Sequence, residues 1–289
     1  MSTEQATGTG LRTVTLPGGE AIPVLGVGTW GMAERPRHRL DEIAALQMAV
    51  DLGMTVVDTA EMYAGGAAEE LVAEALGDRR REIFLVSKVL PQHATRRGTV
   101  SACEASLRRL KTDHLDQYLL HWRGTVPLDE TVEAFDLLQR QGKIRHWGVS
   151  NFDVDDMEAL VPLTATADSA VTSNQVLYNL MRRGIEYDLL PWCRNRRIPI
   201  MAYSPLEQGR LAKAKKVQAI ARRLDATPAQ VALAWVLRQQ GVVAIPKAAH
   251  FEHVREDRGA LDIELSSEDL DELDEAFPPP THKTPLEMI

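Results

Sequence analysis

What most constrains this chain is a regular alternation of short apolar, strand-like runs with amphipathic helical stretches along almost its whole length. Eight β-rich runs appear in order: LGVGTW, TVVDTA, EIFLVSKV, LDQYLLHW, IRHWGVSN, AVTSNQV, IPIMAYSP and VVAIPKA. Between them, residues 41–52, 68–76, 100–110 and 132–141 repeat apolar side chains every three or four positions, the period of a helix with one buried face. Strands that are apolar on both faces need helices on both sides, as in a parallel sheet. Eight such units without a linker rich in Pro, Gly or Ser favour a sheet closed on itself. The expected fold is α/β, a single (β/α)8 TIM barrel domain over residues 1–289, with an N-terminal β-hairpin and a C-terminal helix plus tail.

Local punctuation supports that reading. VTLPGGEAI reads as the hairpin, turning at Pro17-Gly18-Gly19. Gly53, Gly77, Gly142 and Gly241 follow helical stretches and suit left-handed helix ends. The seventh unit holds two helices, over 217–224 and from Thr227, whose hydroxyl precedes Pro228 as a cap precedes a first turn. A further helix begins near Phe251, and Ser267 is the expected cap of the last one, which Pro278 to Pro280 end. Residues 278–289 are expected to form an irregular tail near the barrel mouth, either crossing it or fraying, and residues 1–10 are expected to be disordered.

Composition excludes several classes of function. Asp and Glu number 41 against 33 Lys and Arg, a net charge of -8, which argues against nucleic acid. No run is long enough to cross a bilayer and the opening residues lack a leader's apolar core, so the cytoplasm is the expected compartment. Cys103 and Cys193 have no CxxC or metal spacing, the eight histidines are scattered, and no metal site is expected. No GxSxG elbow marks a serine nucleophile.

In a closed parallel barrel, every strand's carboxyl end opens on one face, so distant residues meet there. Asp58 ends the second run, Lys88 falls near the end of the third, His121 near the end of the fourth, and Tyr63 follows the second. Each alone has a plain explanation: a turn cap, a snorkelling lysine, a hydrogen-bonded core histidine, a rim aromatic. Four ionisable groups converging on one rim point to a reaction centre. A competing GxGxxG lies at Gly26, Gly28 and Gly31, but Pro36 follows and helical period starts only near Asp41. The dinucleotide-binding version of that motif opens straight into a helix, so these glycines read as close-packed backbone instead.

DTAEMY, the lysine of VSKV and the histidine of LLHW, followed in order by WGVSN, SNQVLYN, AYSPLEQG and AIPKA, resemble the aldo-keto reductases over nearly the whole chain. The resemblance implies that Asp58, Tyr63, Lys88 and His121 are the catalytic positions, with Tyr63 the proton donor and its pKa lowered by Lys88. It implies that Ser150, Asn151 and Gln175 hold a nicotinamide carboxamide and that Tyr203 stacks on the ring. It extends cofactor binding to Gly28, Thr29, Trp30, Asp58, Ser204, Leu206, Gly209, Lys247, Ala248, His253 and Asp257. The substrate pocket is then Trp30, Met62, Tyr63, His121 and Trp122, with Tyr178 as a further wall. Arg123, Arg182 and Arg183 stand after strands four and six, either facing a substrate carboxylate or dicarbonyl or simply solvated.

The implied activity is NAD(P)H-dependent reduction of aldehydes or ketones, with small aldehydes, dicarbonyls or sugar aldehydes as substrates. The short tail resembles the smaller bacterial members, which act on such compounds, methylglyoxal among them. Of three residues usual around the 2'-phosphate of NADP, Lys247 is present, whereas Ala248 and His253 replace a serine and an arginine. NADPH is the expected cofactor and NADH the alternative. A small-molecule carbonyl compound is the expected partner, with no nucleic acid or membrane, in a monomer or weak oligomer. A cofactor-sensing regulatory subunit on the same fold is the rival reading.

Overall fold

The computed structural model describes residues 11–164 and 170–289, so the expectation for residues 1–10 lies outside the described residues. Two antiparallel strands come first, β1 (Thr13–Thr15) and β2 (Ala21–Pro23). Eight parallel strands follow: β3 (Val27–Gly28), β4 (Val56–Asp58), β5 (Phe84–Val89), β6 (Leu115–Leu120), β7 (Ile144–Ser150), β8 (Asn174–Leu177), β9 (Ile200–Tyr203) and β10 (Val242–Ile245). Each pairs with the next in chain order. Closure runs from β10 back to the first strand, where Leu25 bridges Ala244 in parallel and Gly28 N donates to the Pro246 carbonyl at 2.9 Å. Gly28 permits the close approach at this seam, and Gly26 permits that of the neighbouring β4. A Cβ on Gly26 would lie 2.5 Å from the Val56 carbonyl oxygen, and one on Gly28 3.0 Å from that of Ile245.

The helices of the outer layer are α1 (Arg39–Asp51), α2 (Ala67–Leu76), α3 (Arg96–Leu110), α4 (Leu128–Arg140), α5 (Val154–Thr164) and α6 (Leu189–Asn195). They continue with α7 (Lys215–Arg223), α8 (Pro228–Leu237), α9 (Phe251–Gly259) and α10 (Ser267–Ala276). Most begin a residue or more before their apolar period becomes evident, because first-turn residues are capped and solvated rather than packed. Thr227 caps α8 in a reciprocal capping box with Gln230. The cap of α10 is Ser266, one residue before the expected Ser267; its hydroxyl accepts from Asp269 N while Asp269 turns back to Ser266 N. Each such cap is worth about 1 kcal/mol. Gly53, Gly142 and Gly241 are left-handed, whereas Gly77 keeps right-handed geometry and leads into a 3-10 turn over Gly77–Glu82.

The barrel strands are buried nearly throughout, and the core fills the space inside the sheet and between sheet and helices. The hairpin covers the strands' amino ends: Glu20 pairs with Arg145 at 2.9 Å and His146 at 2.7 Å near the start of β7. The opposite, carboxyl end stays open. Among the described residues, no helix is long and apolar enough to cross a membrane.

Candidate active site

The carboxyl ends of the strands frame a cavity of about 270 Å³. Thirteen of the residues singled out from sequence line it: Gly28, Trp30, Asp58, Met62, Tyr63, His121, Trp122, Ser150, Asn151, Gln175, Tyr203, Ser204 and Lys247. Lys88 stands directly behind, fully buried in β5. Its ammonium donates to Asp58 Oδ2 at 2.8 Å, to the Thr59 carbonyl at 2.8 Å and to the Tyr63 hydroxyl at 3.1 Å. Local backbone explains why these groups meet. Asp58 closes β4 opposite Val86 of β5, Lys88 stands two residues further along β5 on the same face, and the 3-10 turn Tyr63–Gly66 starts five residues after Asp58.

A lysine with no solvent contact survives only because its donors are satisfied and its charge is matched. Burial pushes its pKa down, but Asp58 and Tyr63 outweigh burial and hold it raised, so Lys88 is a cation. Asp58 is held from its other side by Gln175, whose Nε2 donates to Oδ1 at 2.8 Å. The expected acidic phenol is not what results. Burial raises the Tyr63 pKa, and Asp58 adds to it, so the pull of Lys88 is overcome and the net shift is upward. Much of the ammonium's charge is spent on the nearer carboxylate. Tyr63 is therefore a protonated phenol through the neutral range.

His121, just past β6, is pushed down to about 2 by burial and, secondarily, by the Lys88 charge. It works as a neutral imidazole. Its ring meets Tyr63 edge-on, with centroids 5.9 Å apart, and among the described residues its Nδ1 is buried without a hydrogen-bond partner. An unpartnered lone pair is cheaper than an unpartnered N–H, which favours the tautomer carrying its proton on Nε2. The other wall is a chain of polar groups: Tyr203 donates its hydroxyl to Asn151 Oδ1 at 2.9 Å, and Asn151 Nδ2 donates to the His121 carbonyl at 3.1 Å. Ser150 donates to the Gln175 carbonyl at 2.8 Å.

Other singled-out residues lie elsewhere. Thr29 turns away from the cavity and donates to the Asp58 carbonyl at 3.0 Å. Leu206, Gly209, Ala248, His253 and Asp257 do not line the cavity either. His253 is exposed on α9, 5.8 Å from the His250 ring, and Asp257 is buried in the same helix, its carboxyl pKa raised well above the ordinary value by burial. Tyr178 is not a pocket wall: it is fully buried against Trp235 and donates to Glu186 at 2.7 Å. Arg123, Arg182 and Arg183 are engaged by carboxylates of the chain itself, namely Asp156, Glu207 with Glu287, and Glu186 with Asp274. Sequence reasoning also missed Ile245, Met288 and Ile289, which complete the lining. The tail that carries Met288 and Ile289 was expected near the barrel mouth, but no pattern in its residues singles out those two side chains. The thiols of Cys103 and Cys193 are buried and raised to about 12, which keeps them unreactive. Among the described residues, no group of three metal-ligating side chains occurs.

Residues 24–277, nearly the whole barrel, match the sequence profile of the Aldo/keto reductase family. The chain belongs to that family. Among aldo/keto reductases it is 51% identical to methylglyoxal reductase YeaE of Escherichia coli strain K12, over 96% of this chain and 99% of that protein. It is 35% identical to glyoxal reductase of Bacillus subtilis strain 168, over 91% of each. The solved aldo-keto reductase of Klebsiella pneumoniae in complex with NADPH superposes with a TM-score of 0.92 at 52% identity, covering 96% of this chain and 99% of that one. As an aldo/keto reductase, the chain has the closed eight-stranded barrel expected from its alternating pattern.

Proposed function

We propose that this enzyme reduces small aldehydes and dicarbonyl compounds with NADPH, drawing the proton from Tyr63. The observation that carries the reading is the contact of the Lys88 ammonium with both Asp58 and the Tyr63 hydroxyl. The cavity's polar wall fits a nicotinamide. Gln175 uses its Nε2 on Asp58, so its Oε1 is what it can offer a carboxamide N–H, while Ser150 and Asn151 stand beside it. Lys247, at the exit of β10, and the first backbone N–H groups of α9, whose N-cap His250 makes no side-chain cap, suit a phosphate. When bound, the reduced nicotinamide supplies the hydride to the carbonyl carbon.

The chain's own residues handle the oxygen. His121, neutral, hydrogen-bonds the carbonyl oxygen and orients it beside Tyr63. As negative charge develops on that oxygen, Tyr63 passes its phenolic proton to it, giving the alcohol. Lys88 stabilises the phenolate left behind, and Asp58 with Gln175 keeps the ammonium in place. Trp30, Met62 and Trp122 line the apolar side and exclude water. The relatives named for methylglyoxal and glyoxal support dicarbonyls as substrates. A cofactor-sensing subunit would need no buried ammonium at a phenol, so the intact set favours catalysis.

The test follows nicotinamide absorbance with NADPH or NADH against methylglyoxal, glyoxal and a series of aldehydes. NADPH consumption dependent on the carbonyl compound, and lost in Tyr63→Phe, is expected. No consumption with any of them overturns the reading.

A further inference from the structure

The loop after β8 carries Asn179 and Arg182, and both reach parts of the chain distant in sequence. Asn179 Nδ2 donates to the Ser204 carbonyl at 2.9 Å and to Glu207 Oε2 at 2.8 Å. Arg182 Nε donates to Glu207 Oε1 at 3.1 Å, and its Nη1 donates to Glu287 Oε1 at 2.5 Å. Glu207 is fully buried, with Arg210 as a further partner, whereas Arg182 and Glu287 keep 31% and 43% of their side-chain surface exposed. Ser204, Glu207 and Gln208 have φ of 47°, 48° and 53°, a region that non-glycine residues rarely adopt. Such strain persists only where neighbours over-determine it, and here Asn179 and Arg182 are those neighbours. Ser204 lines the cavity, and so do Met288 and Ile289, which follow Glu287 directly.

We propose that Arg182 is a positioning residue that sets the size of the carbonyl pocket. Through Glu287 it holds Met288 and Ile289 as a wall of the cavity, and through Glu207 it fixes the strained segment that presents Ser204. This rests on the reductase reading above. Of the tail's other anchors, those upstream are Lys283, which approaches Asp155 at 3.4 Å and Asp188 at 3.8 Å, Thr284, which packs on Gly184, and Leu286, which packs on the core, while at the far end the Ile289 backbone hydrogen-bonds the Tyr203 hydroxyl. Those contacts hold the tail to the barrel, and the Arg182 pair directs its last residues inward. Ion pairs this exposed contribute little to global stability, so breaking this one alters the pocket and not the fold. A small dicarbonyl then loses a wall, while a bulky aromatic aldehyde gains room.

The test compares the wild type with Glu287→Gln, Arg182→Ala, Arg182→Lys and a chain ending at Glu287. Measured are KM and kcat for methylglyoxal and benzaldehyde, and NADPH Kd by quenching of protein fluorescence. Glu287→Gln and the shortened chain are expected to raise methylglyoxal KM by about three- to tenfold, with kcat and NADPH Kd within about twofold and benzaldehyde KM unchanged or lower. Arg182→Ala adds weaker NADPH binding because the Ser204 segment loosens too. Arg182→Lys falls between, since a point charge cannot reach both carboxylates as the fork does. An unchanged ratio of the two KM values in Glu287→Gln and the shortened chain overturns the proposal. Tryptic cleavage after Lys283 reads the anchor without turnover: faster cleavage in Glu287→Gln is expected, and equal rates overturn the anchoring even where reduction is intact. Faster cleavage in a protein that reduces no carbonyl compound sinks the reductase reading instead.

Discussion

Lys88 Nζ lies 3.1 Å from the Tyr63 hydroxyl, but Asp58 Oδ2 is nearer to it, at 2.8 Å. The ammonium is therefore shared, and the phenol sees a charge already half answered by a carboxylate. In the proposed mechanism Tyr63 starts as a neutral acid, and Lys88 matters most when phenolate charge appears in the transition state.

Tyr63→Phe removes the proposed proton donor while leaving the cavity's shape and its polar wall in place. Turnover is expected to fall by about two to four orders of magnitude, with NADPH Kd within about twofold of wild type. Single-turnover kinetics and fluorescence titration measure the two quantities separately. A parent-like kcat would rule Tyr63 out as the donor.

The upward shift of Tyr63, caused mainly by burial, gives a signed pH profile. The proposed mechanism needs the protonated phenol, so kcat is expected to stay level through the neutral range and to decline only in alkali, beyond the ordinary phenol value of about 10. A basic limb centred below pH 8 in a kcat profile would contradict this.

His121 links acid to stability. Its pKa is about 2 in the folded chain against about 6.5 when exposed, so the unfolded state takes up the proton first as pH falls. Its contribution is complete above about pH 6.5 and is lost at roughly 1.4 kcal/mol per pH unit as the pH drops. Urea midpoints between pH 6.5 and 5, above most carboxylate titration, should fall more steeply for wild type than for His121→Asn. Parallel slopes would place the histidine in water.

Lys88→Met strands the Asp58 carboxylate in the barrel without its cation. A loss of about 3–5 kcal/mol in unfolding free energy is expected, since breaking a buried pair from one side costs far more than the pair contributes. Lys88→Met with Asp58→Leu should recover much of it, though not activity. Chemical denaturation of the single and double variants provides the comparison.

Lys247→Ala should weaken NADPH by about tenfold while sparing NADH, because in the proposed cofactor site this lysine, at the exit of β10, meets the extra phosphate as a point charge. Equal losses for the two cofactors would move Lys247 away from that phosphate.

The barrel was legible in sequence because its signals are local. Strand runs buried on both faces, helices with a single apolar stripe and turn glycines all act within a few residues, and parallel closure then forces the strand ends onto one rim. That is why Asp58, Lys88 and His121 could be placed together from strand position alone. What only the tertiary structure decided are contacts between groups far apart in the chain: Gln175 on Asp58 across 117 positions, Arg182 on Glu287 across 105, and Tyr178 drawn into the core instead of the pocket. The direction of the Tyr63 shift belongs there too. It depends on how much water is excluded and which charge stands nearer, and burial and distance come into being only when the eight strands close.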